Sequence, residues 1–212
     1  MSSRYGHGRH SIRLKDFDYS QMGSYFVTIC THRRQFSLGR VRRGRMHLSA
    51  TGRIAEQVWR ELPDRYPGVQ TDAFVVMPNH VHGIIVLPGE PVGAGPCACP
   101  TISEEGGQPQ GVAPTMSLSD VVHRFKSLTA TWRRQRRGRT DQELSRGRLW
   151  QRNYYEHVIR NERCMNRIRQ YILTNPSRWT KDRENPERTG EDGFDRWLAG
   201  FRKAPGGGRR CP

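Results

Sequence analysis

No run of 18 apolar residues occurs anywhere in this 212-residue chain, so a membrane-spanning helix is excluded. The segment Met1 to Lys15 has no apolar core either, and no secretory signal is expected there. Cysteine is sparse and irregularly spaced: Cys30, Cys97, Cys99, Cys164 and Cys211 give no repeated Cys-x-x-Cys pair. A zinc ribbon is therefore not expected, and the odd number fits a reducing, cytoplasmic location. Acidic residues are also few. Against 20 Asp and Glu stand 36 Lys and Arg, for a net charge of +16 and a pI near 10.6. The excess is rich in arginine, which grips phosphate in a bidentate manner, so a nucleic-acid partner is expected.

The composition changes at both ends and once in the middle. Residues 1–10 read as a mobile basic N-terminus, 11–180 as one main domain, and 181–212 as a charged Gly/Pro-rich tail. Within the tail, Phe194, Trp197 and Phe201 suggest a weak helix packing back. Residues 88–114 form a low-complexity loop insertion, because such Gly/Pro-rich sequence cannot bury a core.

The rest alternates strand and helix patterns. Ser24 to Cys30, Gln70 to Met77 and Val81 to Leu87 read as strands, and Phe36 to Leu48 as a hairpin with an arginine-rich tip. Ile54, Val58 and Leu62 mark one helix face. Leu118, Val121, Val122, Phe125, Leu128 and Trp132 mark another, opened by a Ser117/Asp120 capping box. Asn161 caps a last helix, Glu162 to Thr174. This order predicts an α+β fold: a ferredoxin-like sandwich whose mostly antiparallel sheet has helices on one face.

One segment carries chemistry. In Pro78-Asn79-His80-Val81-His82-Gly83 the two histidines are separated by one residue within a strand, so their side chains share a face. Two imidazoles placed this way can hold one divalent ion. On the last helix, Tyr171 and Asn175 are four apart and share a face. The tyrosine hydroxyl is a potential nucleophile toward phosphorus, and the asparagine carbonyl is a suitable third ligand for Mg²⁺ or Mn²⁺. Tyr154 and Tyr155 are equally eligible on chemistry, and spacing alone does not choose among the three.

These motifs resemble the single-tyrosine transposases of the HUH superfamily, named for His-hydrophobe-His, and in particular the REP-associated tyrosine transposases. The likeness spans roughly residues 10 to 180. It rests on Tyr25-Phe26-Val27-Thr28, Phe74 to His82, Phe125-Lys126-Ser127, Leu149 to Asn161, and Arg169 to Pro176. The resemblance implies that residues 11–180 form an HUH transposase-like catalytic domain. It implies His80, His82 and Asn175 as metal ligands, Mg²⁺ or Mn²⁺ as the ion, and Tyr171 as the nucleophile. The expected reaction is cleavage and rejoining of single-stranded or hairpin DNA through a 5′-phosphotyrosine link, with no organic cofactor, by a monomer or homodimer. Arg124, Lys126, Arg133, Arg134, Arg136 and Arg137 are expected to hold the DNA backbone, and Trp150, Tyr154 and Tyr155 to stack on bases. Two other readings are a catalytically silent DNA-binding descendant and a metal-dependent hydrolase. A zinc hydrolase needs a third protein ligand, and none stands at a clear spacing from the histidine pair.

Overall fold

The computed structural model describes residues 22–87, 116–136 and 147–200. The expected mobile N-terminus, the 88–114 insertion, Arg137 and Phe201 lie outside these residues.

Four strands form one antiparallel sheet: β1 (Gly23–Cys30), β4 (Gln70–Val76), β5 (His80–Leu87) and β6 (Tyr155–Ile159), in the order β4-β5-β1-β6. Between β1 and β4 come the separate hairpin β2 (Gly39–Arg42) and β3 (Arg45–Leu48), then α1 (Ala50–Arg60) and α2 (Leu62–Arg65). The long helix α3 (Leu118–Gln135) lies between β5 and β6 in the chain. A β-α-β-β-α-β order with β1 and β5 in the centre is the ferredoxin-like arrangement. Strand β6 was not anticipated. Its Tyr-Glu-His-Val-Ile run alternates poorly and pairs along one side only, with β1. Helix α4 (Glu162–Thr174) follows β6, then a 3-10 helix (Asn175–Lys181), then α5 (Gly193–Gly200).

The sheet is buried on both sides because its central strands are apolar at successive positions. On one side, Tyr25, Val27 and Ile29 of β1 and Val81 and Ile85 of β5 pack with Ile54, Val58 and Trp59 of α1 and Val121, Val122 and Phe125 of α3. Gly83 lets Trp59 lie directly on β5, since a Cβ there would overlap the indole ring, which stacks on Phe74 at 4.4 Å. The two helices of the ferredoxin-like unit thus share one face, as expected. The other face is covered too. Phe26, Ile84 and Tyr155 pack there against Ile168, Tyr171 and Ile172 of α4 and Phe194 and Leu198 of α5. The segment after residue 180 folds back onto this second face, with Asp182, Glu184, Asn185 and Asp192 buried.

Candidate metal centre and nucleophile

His80 opens β5 and His82 follows two residues on, so both imidazoles point to the face covered by α4 and α5. Across β1 they are registered with Cys30 and Thr28. Both rings are buried, and their Nε2 atoms lie 3.0 Å apart. Asp182 closes a triangle: its Oδ2 is 3.7 Å from His80 Nε2 and 3.8 Å from His82 Nε2. A point about 2 Å from all three atoms lies inside this triangle, which is the ligand distance of Mg²⁺ and Zn²⁺. His80, His82 and Asp182 therefore fit a divalent ion.

The surrounding hydrogen bonds orient the donors. The Asn79 amide nitrogen donates to the Glu184 carbonyl at 2.7 Å, which leaves its Oδ1 facing His80 Nδ1 at 2.8 Å. His80 Nδ1 must then carry the proton, and Nε2 presents its lone pair to the centre. His82 Nδ1 pairs with Thr28 Oγ1 at 2.9 Å. Burial, opposed by the Asp182 charge, pushes the His80 pKa down to about 4, so the ring is neutral near neutral pH. For Asp182, burial acts upward. It is outweighed by the facing imidazoles of His80 and His82 and by the hydrogen bond from Asn175, which hold the carboxyl well below the usual range.

Asn175, expected as the third ligand, stands one step further out. Its amide nitrogen donates to Asp182 Oδ2 at 2.9 Å, and its Oδ1 is buried with no hydrogen-bond partner. Asp182 was missed because Lys181-Asp182-Arg183-Glu184 reads as a solvated charge run. The 3-10 helix turns that run inward, and no local pattern announces the turn.

The Tyr171 hydroxyl lies 3.3 Å from His82 Nε2. Its ring stacks on Phe194 at 3.7 Å between centroids and meets the edge of Phe26. Arg178 sits 5.3 Å over the same ring and pairs with Asp192 at the start of α5. Burial, then the charges of Asp182, Asp195 and Asp192, raise the Tyr171 pKa well above its ordinary value. Tyr154 packs against the opposite core, with the Lys126 ammonium 5.3 Å over its ring. Tyr155 is buried on the edge strand beneath Arg183.

Residues 111–175, a stretch that includes Tyr171 and Asn175, match the family model described as Transposase IS200 like. A protein of Haemophilus influenzae, named only as uncharacterized, is 36% identical over 185 residues, covering 86% of this chain and 97% of that one. Residues 111–175 thus carry an IS200-like transposase signature, and the likeness to the Haemophilus influenzae protein runs over nearly the whole chain. Among solved structures it is similar to a REP-associated tyrosine transposase bound to a REP hairpin. That match has 18% identity and a TM-score of 0.49, and covers 79% of this chain and 74% of that one. It is also similar to a putative transposase of Deinococcus radiodurans, with 19% identity and a TM-score of 0.40, covering 76% of this chain and 95% of that one.

The residues expected to contact DNA divide by exposure. Arg124, Arg134 and Arg136 are exposed, the last lying over Trp132. Lys126 is committed elsewhere: its ammonium donates to the carbonyls of Gln151, Arg152 and Asn153 at 3.1–3.2 Å, and burial lowers its pKa to about 8. Arg133 is buried and donates to the Gly147 carbonyl. Trp150 is a core residue whose Nε1 donates to Thr129 Oγ1 at 2.6 Å, so it offers no open face for base stacking. Beside these groups a cleft of about 500 Å³ is lined by His123, Arg134, Arg148 and Arg152, which sequence spacing did not single out together.

Proposed function

We propose that this chain cuts and rejoins single-stranded DNA, including strands presented beside hairpins, with Tyr171 as the nucleophile. The observation that carries this reading is the Tyr171 hydroxyl, 3.3 Å from the Nε2 of His82, one corner of the His80, His82 and Asp182 triangle. A divalent ion held by these three side chains, Mg²⁺ or Mn²⁺ by the hardness of the carboxylate, would supply Lewis-acid polarisation of the scissile phosphate. Asn175 would hold the Asp182 carboxylate in place, with its free Oδ1 as a further oxygen donor. Tyr171 Oη attacks phosphorus and its proton leaves to solvent. The bond from phosphorus to the 3′-oxygen breaks, and that oxygen takes up a proton to become a free 3′-OH. The 5′-phosphotyrosine conserves the bond energy, so a 3′-OH can reverse the step without ATP. The +16 charge and the arginine-lined cleft favour a polyanionic partner. This reading requires the strand to reach a tyrosine that is 4% exposed and stacked under Phe194, so α5 must yield during binding.

Asp182 would also supply the third ligand whose absence from the sequence pattern counted against a metal-dependent hydrolase. The two readings differ in the nucleophile. Labelled hairpin DNA with a single-stranded flank, incubated with Mn²⁺, should give a covalent protein–DNA adduct that maps to Tyr171 and vanishes in Tyr171→Phe. Cleavage without an adduct, persisting in Tyr171→Phe, would establish a hydrolase. Tight binding with no cleavage at all would establish a silent DNA-binding protein. An adduct on Tyr154 or Tyr155 would reassign the nucleophile.

A further inference from the structure

Beside the metal centre lies a second cavity, of about 570 Å³, which the cleavage reaction does not use. It is lined by Arg40, Val41 and His47 of the hairpin, by Pro78, and by Phe36 and Trp179. Phe36 is 48% exposed. Its ring meets the edge of Trp179 at 5.8 Å and 74°. Trp179 in turn lies against His80, with ring centroids 6.1 Å apart and planes tilted by 30°. The aromatic pair thus leads from the surface to His80 of the candidate metal site.

The position of Phe36 is fixed by its approach. Arg33 and Arg34 both hold left-handed backbone, at φ 53° and 55°, a conformation that costs free energy for residues other than glycine. The ion pair of Arg34 with buried Glu184, at 2.7 Å, secures the turn. Thr31 Oγ1 donates to the carbonyls of Gln35 and Asn79, and the Leu38 amide donates to the Pro78 carbonyl at 3.1 Å. The loop that presents Phe36 is therefore tied to the two residues that precede His80.

We propose that the exposed face of Phe36, with the edge of Trp179 beside it, forms an open-sided stacking slot for one unpaired nucleobase of the DNA strand that enters the metal centre. The proposal rests on the single-strand reading above and adds a subsite to it. The charge around the slot selects this occupant. Residues 32–48 carry six arginines and no acidic residue, which suits a phosphate backbone running along the hairpin. Exposed aromatics set in a basic groove take bases by stacking, and any base will serve because each has a π-face. Bases within a duplex are already stacked and cannot enter, so the slot discriminates single strands from duplex.

The test uses the full-length protein with Tyr171→Phe, which keeps the DNA intact, and a short oligothymidylate carrying one 2-aminopurine. Binding should quench the 2-aminopurine fluorescence. Phe36→Ala should weaken single-strand affinity roughly 5- to 150-fold, the effect of losing one stacked base. Phe36→Trp should restore both affinity and quenching, and duplex of the same sequence should bind all three proteins alike. Phe36 is half exposed, and an unchanged melting temperature confirms that the Ala variant folds. Unchanged affinity and quenching in Phe36→Ala would overturn the slot alone. Failure of the Tyr171→Phe parent protein to bind any single strand would overturn the single-strand reading and the slot with it.

Discussion

Asp182 is held from three directions: the Glu184 amide donates to its Oδ1 at 2.7 Å, Asn175 donates to its Oδ2, and the two histidines face it. The neighbouring asparagine acts on the centre through this carboxylate. Asp182→Asn should therefore lower Mn²⁺ affinity at least ~100-fold by calorimetry, and the DNA adduct should disappear. Asn175→Ala should lower affinity by roughly 10–100-fold, as loss of an outer hydrogen-bond partner does. Equal losses in the two variants would instead make Asn175 a ligand in its own right. Local periods, two residues on a strand and four on a helix, put His80 beside His82 and Tyr171 beside Asn175, and the resemblance to HUH transposases joined the two pairs into one expected site. Asp182 obeys no such period relative to either pair.

Helix α4 carries Tyr171 and Asn175, so its seat on the sheet sets the geometry of the centre. A break in register between Thr71 and Phe74 of β4 aims Asp72 at α4, where Arg169 Nε and an Nη atom donate to its two carboxylate oxygens at 3.0 and 2.7 Å. The Arg169 hydrogen bonds lower the Asp72 pKa below its ordinary 3.8, against the opposing effect of burial. A carboxyl whose pKa falls on folding contributes stability above its unfolded pKa and loses it as pH drops through the folded value. Asp72→Asn should thus lower the melting temperature at pH 7, and the two proteins should converge in acid below the ordinary carboxylate range. A difference that persists there would mean the pair does not hold α4. On the far side of the same helix, Phe194 of α5 covers Tyr171. Phe194→Ala should speed adduct formation in single-turnover assays while lowering the melting temperature. A slower rate would show that Phe194 orients the tyrosine rather than shielding it.

The charge of the whole molecule is unevenly placed. Arg134, Arg148 and Arg152 line the cleft beside α3 and are exposed, whereas Lys126 and Arg133 in the same region hold backbone carbonyls. Replacing Arg134, Arg148 and Arg152 by Ala should flatten the dependence of log K on log salt by about one unit per lost phosphate contact. Lys126→Ala should leave that slope nearly unchanged and lower stability, because three carbonyls lose their shared donor. An unchanged slope in the triple variant would mean that the cleft is a solvated basic face.

Hydrophobic periodicity and capping chemistry were sufficient to place β1, β5, α1, α3 and α4 within a residue or two, and the Ser117/Asp120 box and the Asn161 cap are both present. These features depend on neighbours a few residues apart, which a linear reading can see. The His80/His82 face and the Tyr171/Asn175 pair were legible for the same reason. Tertiary structure alone decided the rest. Strand β6 exists because β1 offers it an edge, and the weak helix expected around Phe194 and Trp197 found its seat as α5 only on the apolar face that Phe26 and Tyr171 leave. Lys126 and Trp150 looked like DNA contacts in the sequence, but the fold uses their polar atoms to satisfy carbonyls and a hydroxyl. Asp182 became a candidate ligand only when the chain turned back at the 3-10 helix, a long-range placement that no local spacing encodes.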